Sequence, residues 1–233
     1  MNSLHSPTRA IILAAGRGQR LSPATDTTPK PLLPVDGRPT LDYVLQALAA
    51  AEVKQVCLVT HYLAEQVEGY VGDGQRWGME ATYRRQGTAA GTAHALQAAA
   101  GFLTEPTVVL AADYALPLAY VANLKVTYLA AGQPDGITIA LGRLTEADLT
   151  RRSSVELGGD LRIHRIVEKP PLGAAPSPYC AYLVYIVPAD IGDYLPQVRL
   201  SSRGEYELPD AINLMIADGY PAVGCLQPPP PEW

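Results

Sequence analysis

The sequence predicts an α/β chain built on a doubly wound, mainly parallel sheet, with a smaller and more mixed β region in its second half. Three observations predict it. Short apolar or β-rich runs alternate with segments of helical periodicity through the first half of the chain, which implies parallel strands joined by helical crossovers. The runs at 10–15 (AIILAA) and 107–112 (TVVLAA) are continuously apolar rather than alternating, as in strands buried on both faces. Beyond residue 136, strand-like runs follow one another with Gly- and Pro-rich punctuation instead of helices, which suits hairpins and an irregular sheet.

Each element follows from local pattern. Run 10–15 starts after Arg9 and stops at Gly16. Residues 40–51 place Leu41, Val44, Leu45 and Leu48 on one helical face. Residues 55–60 (QVCLVT) form a short strand, and 63–71 a second helix ended by the Gly72-Asp73-Gly74 turn. A strand at 81–84 and an Ala-rich helix at 92–101 precede the strand at 107–112. A strand is expected at 136–141, and a hairpin from 154–157 and 161–167 around Gly158-Gly159-Asp160. Residues 170–178 form a loop, 182–187 a strand, and 208–217 a helix with Leu208, Ile212 and Met215 on one face. The final run QPPPPEW favours extended polyproline and excludes a central strand.

Composition bounds the function. A chain of 233 residues buries roughly three quarters of its unfolded surface, enough for one sizeable core. Hydrophobic residues make up 48% and charged residues 18%, so the chain is globular rather than disordered. The formal net charge of −5, with no strong basic run, argues against nucleic acid as a partner. Cys57, Cys180 and Cys225 are odd in number and scattered, which fits a reducing, cytoplasmic setting and neither a disulfide framework nor a zinc site. No apolar run reaches the ~18 residues of a membrane helix, and the N-terminus carries no signal-peptide pattern.

Five segments carry chemistry. In the first, Gly16 and Gly18 lack a Cβ and let a phosphate approach backbone N–H groups. Arg20 adds a planar fork of donors, and Lys30, between Pro29 and Pro31, a point charge on a stiffened stretch. Leu21 breaks the dinucleotide pattern G-x-G-x-x-G, and Gly-Lys-Ser/Thr is absent. A tight turn with two solvated cations is the plainer reading.

In the second, Gln86 offers an amide able to pair with a base edge, and Gly91 lets a flat group lie against the backbone. An ordinary loop with Thr92 capping a helix is the alternative. In the third, Asp113 follows a buried strand, where it could hold Mg²⁺ or bond its own backbone. In the fourth, Glu168 and Lys169 are adjacent at a strand end. Strand alternation sends them to opposite sides, toward different partners rather than each other. The fifth, 203–212, reads as a helix start with acidic residues near its positive end. Gly16, Thr60, Gln86 and Asp113 all sit at or just past strand carboxyl ends, where open α/β sheets bind ligands.

LAAGRGQRL at 13–21 followed by TPKPLLPV at 28–35 resembles the sugar-nucleotide pyrophosphorylases, the sugar-1-phosphate nucleotidyltransferases that include glucose-1-phosphate thymidylyl- and uridylyltransferases. The resemblance implies a Rossmann-like fold in one domain, 1–233. Residues 9–113 would be its nucleotide-binding half and 114–233 its sugar-binding half. It implies that an NTP, UTP or dTTP favoured, and a sugar 1-phosphate give an NDP-sugar and pyrophosphate with Mg²⁺. On that basis Leu13, Ala14, Ala15, Gly16 and Gly18 lie along the nucleotide, Arg20 and Lys30 clamp its phosphates, and Gln86 and Gly91 read the base. Asp113 holds the metal, Glu168 the sugar hydroxyls and Lys169 the sugar's phosphate.

Three places depart from the family pattern. Arg152-Ser153-Ser154 stands where many members have Tyr-Gly, and Tyr179-Cys180-Ala181-Tyr182 where an Asn or Thr with Gly is usual. Both bear on which sugar fits. The family's second metal carboxylate, in Trp-x-Asp-x-Gly, is not found before Trp233. Transfer to another phosphate acceptor, such as a phosphoalcohol or molybdopterin, and a non-catalytic regulatory module that binds sugar nucleotide remain alternatives. The oligomeric state stays open, a homo-oligomer included.

Overall fold

A computed structural model describes residues 5–230; Trp233 and the end of the proline-rich run lie outside the described residues. The strands are β1 (Arg9–Leu13), β2 (Pro34–Val35), β3 (Arg38–Pro39), β4 (Gln55–Thr60), β5 (Glu80–Arg85), β6 (Thr107–Ala111), β7 (Ile137–Arg143), β8 (Ser153–Leu157), β9 (Ile163–Glu168), β10 (Tyr179–Val187) and β11 (Ala222–Leu226). The helices are α1 (Thr40–Ala50), α2 (Ala64–Val71), α3 (Thr92–Ala98), α4 (Tyr120–Ala131), α5 (Glu146–Leu149), α6 (Ile191–Tyr194) and α7 (Leu208–Ala217).

The central sheet has seven strands in the order β11-β7-β10-β6-β1-β4-β5. Every neighbouring pair is parallel except the two made by β10, which runs antiparallel to both β6 and β7. The expected mainly parallel, doubly wound sheet is therefore present. Hairpin β8–β9 and the short pair β2–β3 form the small mixed β regions.

Two apolar layers explain the unbroken hydrophobic runs. Ala10 and Ile12 face a core that includes Leu41, Leu45, Val67 and Leu124 from α1, α2 and α4. Ile11, between them, faces the other core, with Leu96, Ile191 and Ile212 from α3, α6 and α7. Side chains that alternate across a strand must both be apolar when helices cover both faces.

Helix α4 and strand β11 are among the elements with no counterpart in the sequence reading, as are the short β2, β3, α5 and α6. Helix α4 buries Tyr120, Val121, Leu124 and Tyr128 but exposes Val126 and Leu129. Apolar residues on both sides leave no amphipathic stripe to detect. Strand β11 (AVGCL) follows a proline and contains Gly224, yet it closes the sheet edge parallel to β7. Strand β10 also begins at Tyr179, earlier than the run at 182–187, and shifts register between Ala181 and Tyr185. Among the described residues no helix is long and apolar enough to cross a membrane.

Candidate functional site

Sheet order sets the site. Strands β6, β1, β4 and β5 are consecutive neighbours and parallel. Their carboxyl ends therefore line up Asp113, Gly16, Thr60 and Gln86 along one edge of the sheet.

Gly18 has φ +67°, and a Cβ there would lie 3.1 Å from Lys30 Cβ and 3.2 Å from Thr25 Cγ2. Glycine thus lets the turn close over the Lys30 stem, and the Thr25 hydroxyl fastens it by donating to the Gly18 carbonyl at 3.0 Å. At Gly16 a Cβ would meet nothing within 4 Å, so its backbone faces open space. Arg20 is exposed on the short helical turn Gln19–Leu21 and makes no ion pair with any described residue.

Lys30 forms an ion pair with Asp113, joining two motifs that the sequence reading kept apart. Behind them the buried Thr40 hydroxyl lies 3.1 Å from the Pro31 carbonyl oxygen and 3.3 Å from that of Ala112. One hydroxyl at the start of α1 thus ties the residue after Lys30 to the residue before Asp113. Nothing in the local pattern around Thr40 signals this.

Gln86 is buried, and its side-chain Nε2 contacts the Gly91 carbonyl and His94 Nδ1. Gly91 has φ +108°, and a Cβ there would sit 2.4 Å from the Tyr206 carbonyl oxygen. Its missing side chain therefore makes room for the protein itself. Tyr206 N–H donates to the Ala90 carbonyl at 2.8 Å and Ala93 N–H to the Tyr206 carbonyl at 2.9 Å. Thr92 does not cap its own helix through its side chain; its hydroxyl accepts from the Leu208 N–H at 2.9 Å. The segment read as a helix start at 203–212 is thus docked onto the Gln86 loop.

Glu168 and Lys169 do not point to separate partners. Lys169 Nζ lies 3.8 Å from Glu168 Oε1. The alternation rule fails because β9 ends at Glu168 and Lys169 turns into the left-handed region, φ +45°. Arg203 sits 3.5 Å from Glu168 Oε1 and also pairs with the buried Glu207. Burial, then the neighbouring Glu207 charge, push the Glu168 carboxyl above its usual range, while Lys169 and Arg203 pull it back. The resemblance implies that the segment 203–212 is scaffold beside the sugar pocket; the direct contact of Arg203 with both Glu168 and Glu207 is a detail that only the tertiary structure gives.

A cavity of about 190 Å³ adjoins the Glu168 cluster, lined by Thr92, Tyr114, Ser153, Glu168, Cys180 and Glu207 among others. A larger one of about 310 Å³ opens where β7 and β11 begin, away from every motif residue. Asp113 supplies the hard carboxylate oxygens that Mg²⁺ prefers, and its side chain keeps 27% exposure beside Lys30. A site of one carboxylate completed by phosphate oxygens fits that geometry. No group of three or more His, Cys, Asp or Glu side chains placed to hold a metal ion occurs among the described residues.

The family model described as nucleotidyl transferase matches residues 9–229. A glucose-1-phosphate thymidylyltransferase of Streptomyces griseus is 32% identical over 213 residues, covering 91% of this chain and 58% of the relative. A low-salt glycan biosynthesis nucleotidyltransferase of Haloferax volcanii is 29% identical over 213 residues, with the same coverage. The chain thus spans somewhat over half the length of these relatives. A solved UDP-glucose pyrophosphorylase from Acinetobacter baumanii superposes with a TM-score of 0.79 at 23% identity, covering 95% of this chain and 86% of that one, a likeness of fold.

Proposed function

The chain belongs to the nucleotidyl transferase family, and from that premise we propose that it transfers a nucleotidyl group from an NTP to a sugar 1-phosphate, releasing pyrophosphate. UTP and dTTP are the favoured donors. The observation that carries this reading is the gathering of the Gly16–Gly18 turn, Lys30, Asp113 and Gln86 along one edge of neighbouring parallel strands. Phosphate, metal and base functions then need no further element to meet.

In the proposed reaction a phosphate oxygen of the sugar 1-phosphate attacks the α-phosphorus in line. The new O–P bond forms as the bond to the bridging oxygen of pyrophosphate breaks. No covalent enzyme intermediate is required, so the protein acts by positioning and by stabilising charge. Open backbone at Gly16 leaves room for phosphate along Leu13, Ala14 and Ala15, while Gly18 lets the turn close over the Lys30 stem beside it. Arg20, which no described carboxylate engages, meets the charge that grows on the phosphates. Lys30 shares that task while paired with Asp113. Asp113 would hold Mg²⁺, which when bound neutralises phosphate charge. Glu168 would accept from sugar hydroxyls, and Lys169 would meet the sugar's phosphate. On this reading residues 9–113 serve the nucleotide and 114–233 the sugar. Three buried free thiols fit work in the reducing cytoplasm.

A matrix of four NTPs against several sugar 1-phosphates, read as pyrophosphate release, tests the proposal. Pyrophosphate from a UTP or dTTP pair supports it. Nucleotide binding with no release from any pair refutes it.

A further inference from the structure

Gln86 is fixed at both its backbone and its side chain. Its N–H donates to the Thr60 carbonyl at 2.9 Å, and its own carbonyl accepts from His61 Nδ1 at 2.8 Å. Its side-chain Nε2 lies 3.3 Å from the Gly91 carbonyl oxygen and 2.8 Å from His94 Nδ1. A carbonyl oxygen can only accept, so Gly91 identifies that end of the carboxamide as the NH₂. An amide NH₂ can only donate. His94 Nδ1 must therefore accept, and the neutral ring carries its proton on Nε2.

Both amide N–H groups are thus committed inside the protein. The carboxamide oxygen takes no partner among the described residues, and it is not one of the buried polar atoms sealed from solvent. Gln86 is otherwise 3% exposed. What it offers outward is an acceptor.

We infer that His94 is a positioning residue that holds Gln86 with its oxygen outward, and so selects pyrimidines that carry a ring N–H, uracil and thymine, over cytosine. This rests on the nucleotidyl-transfer reading above. Uracil and thymine present N3–H to that oxygen. Cytosine presents a bare N3, and two facing acceptors leave a buried polar pair unmade, which discriminates strongly at enclosed sites. The shorter contact to His94 makes it the stronger of the two restraints. Without it the amide can turn over and present NH₂ to cytosine.

The test is calorimetric binding of UTP, dTTP and CTP to the wild-type chain, His94→Phe and His94→Asn, with pyrophosphate release measured alongside. Phenylalanine keeps a ring beside Tyr206, whose centroid is 6.3 Å from that of His94, but removes the acceptor. Asparagine keeps an acceptor near the Nδ1 position. Wild type is expected to favour UTP over CTP by about tenfold or more. In His94→Phe the ratio falls to within about threefold of unity, and His94→Asn retains most of it. A role in folding alone would weaken all three nucleotides together. An unchanged ratio in a folded His94→Phe, or a ratio lost equally in His94→Asn, overturns the inference while leaving pyrophosphate release intact. Failure of the wild type to bind any of the three nucleotides would instead overturn the nucleotidyl-transfer reading beneath it.

Discussion

Lys30 and Asp113, 83 residues apart in the chain, are in direct ion-pair contact at the carboxyl edge of the sheet. Both are about a quarter exposed, so the pair contributes little to stability. Its consequence is positional. The cation proposed for phosphate and the carboxylate proposed for Mg²⁺ sit within reach of one another, and each limits where the other can move. Asp113→Asn is expected to raise the Mg²⁺ concentration needed for half-maximal pyrophosphate release, and an unchanged Mg²⁺ titration would count against Asp113 as a ligand.

Arg20 and Lys30 are expected to act in turnover rather than in folding. Arg20→Ala removes an exposed side chain with no ion-pair partner among the described residues. Its melting temperature should stay close to wild type while kcat falls roughly 10²–10³-fold, the effect of losing one preorganised donor. Lys30→Met should cost a similar factor. Turnover within a few-fold of wild type in Arg20→Ala would remove it from the mechanism.

Thr40 is expected to matter for stability. Thr40→Val keeps the shape but deprives the Pro31 and Ala112 carbonyls of their shared hydroxyl. A loss of about 1–2 kcal/mol in urea unfolding follows from leaving a buried acceptor unpaired. Turnover should drop as well, because the same hydroxyl holds the neighbours of Lys30 and Asp113 together.

The glycines divide sharply. Gly91→Ala forces a Cβ into the Tyr206 backbone at a φ that other residues rarely adopt, and should destabilise by about 2 kcal/mol or more. Gly16→Ala meets nothing within 4 Å and should change stability by under about 0.5 kcal/mol, yet weaken nucleotide binding if phosphate lies against that backbone. Equal melting temperatures for the two variants would contradict the docking of 203–212 on the Gln86 loop.

Glu168 predicts a pH signature. Burial, then Glu207, raise its carboxyl above the ordinary 4.5. The folded state therefore holds the proton more tightly than the unfolded one. The stabilisation this provides is fully present below the unfolded value and is lost as pH rises through the raised folded value. Glu168→Gln removes that loss, so relative to wild type the variant should gain stability between pH 4 and pH 7. Thermal unfolding at both pH values checks the sign, and a variant that loses ground over that range would show the carboxylate to be net stabilised by Lys169 and Arg203.

Local pattern determined a good deal by itself. The strands at β1, β4 and β6 and the helices α1 and α7 were legible because a strand buried on both faces, or a helix buried on one, must write that burial into consecutive residues. The turn at Gly16–Gly18, the Pro-Lys-Pro segment and the placement of Gly16, Thr60, Gln86 and Asp113 at strand ends were legible for the same reason. Tertiary structure alone decided which of these meet. The Lys30–Asp113 contact depends on β1 and β6 being neighbours, a fact of sheet order that no periodicity encodes. Lys169 turns toward Glu168 because the strand ends there, and Gly91 is glycine because a segment 115 residues later lies on it. Helix α4 and strand β11 escaped because one is apolar on both sides and the other is a short edge held by its neighbour. Burial is written residue by residue along the chain, whereas partnership is set by the order in which the strands assemble.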